Sequence, residues 1–161
     1  MILRSLAVLV ALALPVQAET AIQAVTSPGG IKAWLVEDHT IPFVALELRF
    51  QGGNSLDLAG KRGAVNLMTA TLEEGAGAMD SQGFAAARDS LAAQIGFSSD
   101  GDGISVSSQF LTENRDQGVT LLREALVNPR FDEDAVERVK GQVLANLRAG
   151  AEDPATIAGD L

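Results

Sequence analysis

Residues 60–77 read GKRGAVNLMTATLEEGAG, and this stretch decides the fold. Val65, Leu67, Met68, Ala70 and Leu72 make its centre apolar nearly all round, the pattern of a core helix running from Gly63 to about Glu74. Gly75 and Gly77 supply the left-handed stop. Upstream, residues 43–50 alternate: Phe43, Ala45, Glu47 and Arg49 share one side, and Val44, Leu46, Leu48 and Phe50 the other. A period of two marks a strand with one buried face. Gly52-Gly53-Asn54 ends that strand, so the chain runs from strand to turn to helix.

Working outward, residues 21–26 and 31–36 are short apolar runs split by Ser27-Pro28-Gly29-Gly30, which predicts a hairpin. Pro42 opens the next strand, where a missing N–H does least harm. Ser81 is placed to cap a second helix with Phe84, Ala87, Leu91 and Ile95 at helical spacing and Gly96 as its stop. Residues 97–100 and 104–111 predict a hairpin around Gly101-Asp102-Gly103. Asn114 with Gln117 resembles a capping box for a third helix striped by Val119, Leu122, Ala125 and Leu126. Asp132 is placed to cap a fourth, striped by Val136, Val139, Val143 and Leu147, before Glu152-Asp153-Pro154 interrupts the pattern. Strands, two helices, a hairpin and two helices describe a segregated α+β fold, an antiparallel sheet packed against helices.

The composition removes several function classes. The chain has 161 residues, 47% of them hydrophobic, enough for a domain with its own core. It contains no cysteine, which excludes disulfides, thiolate metal sites and a cysteine nucleophile. Its one histidine, His39, excludes a multi-histidine zinc site within the chain and sits in a polar turn beside Asp38. The net charge of −9 argues against nucleic acid or an anionic membrane as partner and fits a soluble protein that meets basic ones. Residues 1–18 carry Arg4, a continuous apolar run from Leu6 to Leu14, then Pro15 and a small-x-small ending at Ala18. They predict a secretory signal peptide and export to a bacterial periplasm. The apolar run falls well short of the ~20 residues a spanning helix needs.

Residues 66, 69 and 70 are spaced to share one face of the helix. An inverted zinc-peptidase helix carries His-x-x-Glu-His at that spacing: two imidazole ligands, and a carboxylate that activates the bound water. Here the positions hold Asn66, Thr69 and Ala70. Glu73 and Glu74 oppose the helix dipole and read as a solvated end, or as a docking point for a basic partner. Asp100-Gly101-Asp102-Gly103 reads as a hairpin turn, because a calcium loop would need an acid where Leu111 stands.

The ordered set Asp38…Pro42, Gly52/Gly53, Asp57, Gly60-Lys61, Gly63, Leu111-Thr112-Glu113-Asn114, Pro129-Arg130-Phe131 and Glu137-Arg138 resembles the insulinase/pitrilysin-like zinc metallopeptidase family, which includes mitochondrial processing peptidase. The resemblance covers about 120 residues, from Val36 to Pro154. It implies the N-terminal domain of a subunit lacking His-x-x-Glu-His, running from residue 19 to 161 and incomplete at its C-terminus. The family's third ligand, a glutamate, maps near Asn146. Asn66, Ala70 and Asn146 are then degenerate ligand positions and Thr69 a degenerate base position, with no metal or other cofactor in this chain.

In several members of that family an inactive subunit pairs with a homologous active one. The resemblance thus implies a non-catalytic, hetero-oligomeric partner of a zinc-bearing homologue, completing a chamber for a peptide substrate, with no nucleic acid and no membrane once the leader is cleaved. Two alternatives stand beside it: a divergent zinc metalloendopeptidase with ligands outside residues 1–161, and a stand-alone periplasmic binding module.

Overall fold

The computed structural model describes residues 21–152. The expected leader, residues 1–18, and the Asp153-Pro154 break lie outside them. The chain divides into two compact units between Ile41 and Pro42. The first contains the expected hairpin, β1 (Ile22–Thr26) and β2 (Lys32–Val36), antiparallel with Ile22 opposite Val36 and Thr26 opposite Lys32. Its turn closes through the Ser27 hydroxyl, which accepts from the Ile31 amide at 3.0 Å.

The second unit contains β3 (Phe43–Gln51), helix α1 (Ala64–Thr71), a tight hairpin of β4 (Gly75–Ala76) and β5 (Met79–Asp80), α2 (Ser81–Ser90), β6 (Gln94–Ser99), β7 (Gly103–Leu111), α3 (Arg115–Val127) and α4 (Glu133–Glu152). The main sheet is antiparallel in the order β3-β7-β6. Its register stacks Leu48, Val106 and Phe97 in one row and Leu46, Ser108 and Ile95 in the next. The core lies on that face, where Phe84 of α2 and Leu121, Leu122 and Ala125 of α3 meet Ile95, Val106 and Phe110. Gly118 sets how closely α3 approaches, since a Cβ there would overlap the Phe110 ring. The α+β class, with an antiparallel sheet on helices, is as the sequence predicts.

Local details depart from the sequence reading. The β3 face is half-buried at Val44, Leu46 and Leu48, and Phe50 is 48% exposed. β3 is an edge strand, and the helices centre on β6 and β7. The second helix stops at Ser90, because Ala92 turns left-handed (φ 49°) and sends Ile95 and Gly96 into β6. Asp80 caps it in place of Ser81, accepting from the Gly83 amide at 2.8 Å. Asn114 makes no capping bond at α3; its amide donates to the Leu91 carbonyl at 3.0 Å and ties the two helices together. The Asp132 carboxylate is held by Arg130 at 2.7 Å beside the start of α4.

Candidate functional site

Helix α1 is the element the sequence singles out. It is shorter than expected and is no all-round core helix: Thr69 and Thr71 are buried, whereas Asn66, Met68 and Ala70 are exposed. Its start is fixed from a distance. The Asp57 carboxylate accepts from the Gly63 amide at 2.6 Å and the Val65 amide at 3.0 Å, satisfying donors that no helical carbonyl reaches. Gly63 takes φ 90° to make this possible. Sequence reading marks Asp57 as part of a motif but misses its role, because a cap six residues upstream has no local signal.

The other end is fixed by ion pairs. Glu74 accepts from Arg138 of α4 at 2.6 and 3.1 Å and from the Ser81 hydroxyl at 2.7 Å. The Arg138 hydrogen bond holds its carboxyl below the ordinary range. Glu73 pairs with Arg88 of α2 at 2.8 Å, yet burial pushes its carboxyl up. These glutamates are therefore neither a solvated end nor an open dock, since Arg88 and Arg138 already pair with them.

Between those ends lie the candidate ligand positions. Asn66 and Ala70 fall one helical turn apart on the exposed side. Thr69 is 3% exposed, and its hydroxyl donates back to the Asn66 carbonyl at 2.9 Å and the Val65 carbonyl at 3.2 Å. Asn146 is exposed on α4, and α1 packs against α4. This donor set does not fit zinc: Ala70 has no donor atom, Thr69 is turned inward and committed to its own helix, and the two asparagines are neutral amides. Among the described residues no group of three His, Cys, Asp or Glu side chains is placed to hold a metal ion. The His39 side chain is 90% exposed, 3.8 Å from Glu37.

A shallow hollow of about 470 Å³ lies elsewhere, at the β6–β7–β3 strands, with Glu47, Arg88, Gln94, Ser107 and Gln109 in its lining; none of the four candidate positions contributes to it. The Asp100–Gly103 turn is the expected hairpin turn. Asp100 pairs with Arg49 at 2.8 Å, and that hydrogen bond lowers its carboxyl below the usual range.

The chain is 28% identical to a solved structure of a peptidase M16 inactive domain from Pseudomonas fluorescens, with a TM-score of 0.78 over 86% of this chain and 34% of that one. It is 32% identical over 111 residues to a Helicobacter pylori protein named non-peptidase homolog YmxG. The described fold is M16-like. The chain spans about a quarter of the length of the curated relative, the match covering 69% of this chain and 26% of that protein. No protein-family model matches the chain. The M16-like fold bears out the architecture that the resemblance implies, and both relatives are named for missing peptidase function. No helix of the described residues is long and apolar enough to cross a membrane.

Proposed function

We propose that this chain is a non-catalytic M16-like subunit, exported to a bacterial periplasm, that pairs with a zinc-bearing homologue and completes a chamber for peptide substrates. One observation carries the reading: at the positions matched to two ligands and a base, α1 presents Asn66 and Ala70 outward and buries Thr69, its hydroxyl spent on helix carbonyls. The frame around those positions is intact, with Asp57 on one end of the helix and Arg138 on the other. The names of the two relatives favour the same reading. β6 ends the three-stranded sheet, and its outer edge suits an extended peptide added as a further strand.

The test combines zinc titration with reconstitution. The purified chain should take up no zinc at micromolar concentration, and should raise peptide cleavage by a zinc-bearing homologue from the same cell on mixing. Stoichiometric zinc uptake, or chelator-sensitive cleavage by this chain alone, would defeat the reading.

A further inference from the structure

Just before α1, residues 56–62 form an ordered loop that presents apolar and basic side chains to solvent. Leu56 is 66% and Leu58 73% exposed. The loop is anchored on both sides. The Asn54 amide donates to the Asp100 carbonyl at 2.7 Å and the Ser55 amide to Gly101 at 3.0 Å, while Asp57 grips the Gly63 amide. The Lys61 amide closes on the Leu58 carbonyl at 2.9 Å. The leucines therefore stand out from a braced backbone.

Lys61 and Arg62 follow after Ala59 and Gly60, both exposed. Most cations of the described residues, Arg49, Arg88 and Arg138 among them, hold an acid within salt-bridge reach; among those residues Lys32, Lys61, Arg62 and Arg148 hold none, and of these only Lys61 and Arg62 are neighbours in the chain. In a chain of net charge −9, an adjacent pair of uncompensated cations beside two exposed leucines is a local reversal of character.

We propose that this loop is a docking platform for an acidic protein surface that offers an apolar hollow to Leu56 and Leu58. Resting on the reading above, the occupant is the zinc-bearing subunit. Two leucines and two cations make a small membrane anchor, so a protein surface, which can add a shaped apolar hollow, is favoured over a bilayer. A braced loop also loses little freedom on binding, which is what an anchor requires.

Two double variants of the full chain test it, Lys61→Glu with Arg62→Glu and Leu56→Ser with Leu58→Ser, each titrated against the purified zinc-bearing homologue by calorimetry at low and high salt. Each should weaken association by about tenfold or more, and the charge pair should also abolish the salt dependence, while melting stays at the wild-type value. Wild-type affinity in both variants would overturn the platform and leave the pairing standing; a wild-type chain that binds no zinc-bearing homologue would end both. A lowered melting temperature in the leucine variant would mean the loop packs on its own chain. Loop-dependent self-association, or binding to phosphatidylserine vesicles, would assign it another occupant. Each of these results overturns the proposal.

Discussion

The two sides of helix α1 differ in how they use their polar groups. Inward and at its ends, each notable group has a partner: Asp57 on the first amides, Thr69 and Thr71 on helix carbonyls, Glu74 on Arg138 and Ser81, and Glu73 on Arg88. Outward, Asn66 and Ala70 face solvent. The inner side is held by the requirement that buried polar groups be satisfied, which applies whatever the protein does. The outer side would be held only by a reaction. A helix so firmly built on one side and so plain on the other keeps a scaffold's constraints without a metal's.

The contrast breaks most visibly at Thr69. Thr69→Glu would place a carboxylate where a side chain is 3% exposed, and should cost about 3 kcal/mol or more. Thr69→Val, which keeps the shape and drops only the back-bonding hydroxyl, should cost less than about 1 kcal/mol. Urea denaturation of the two variants reads the difference. A Thr69→Glu chain as stable as wild type would show that this position reaches the outer side, and the division of the helix would fail.

Glu74 and Glu73 sharpen the contrast through pH, with opposite signs. The folded-state carboxyl of Glu74 lies below its ordinary value of 4.5, so its contribution is full above that value and is lost as pH falls through the folded one. Glu74→Gln should cost about 1 kcal/mol near neutrality, the low end for a charge-assisted bond because Arg138 is half-exposed, and should flatten the acid limb of a melting-temperature profile. Glu73 is raised above 4.5, so the folded state binds the proton more tightly than the unfolded one. Stability then declines as pH rises from 4.5 through the raised value, and Glu73→Gln should remove that decline. Parallel profiles for the two variants would contradict the pairing geometry.

Much of the scaffold is legible because it rests on local patterns. The alternation over residues 43–50, the turn at residues 27–30 and the Gly101-Asp102-Gly103 turn each name their element. What escapes depends on partners distant in sequence. Ile95 continues the helical spacing of Phe84 and Leu91, but a left-handed Ala92 breaks the helix and places Ile95 opposite Ser108 in the sheet. Asn114, Asp132 and Glu74 look like caps or solvated ends until Leu91, Arg130 and Arg138 arrive to claim them. At the candidate site, spacing places Asn66 and Ala70 together correctly. It cannot show that Thr69, one residue before Ala70, turns to the inner side.

The smallest expected effect lies on that outer side. Asn66→His with Ala70→His restores two imidazoles one turn apart at exposed positions, and should change stability by no more than about 0.5 kcal/mol. The variant should gain weak zinc binding, because a neutral imidazole pair at this spacing can share one ion. It should gain no peptide cleavage, since Thr69 still faces inward and supplies no base to a metal-bound water. A stability loss above about 2 kcal/mol would mean the outer side is packed and constrained after all. Cleavage by the double variant would move the missing base to some other residue and show that recovering the reaction needs the ligands alone.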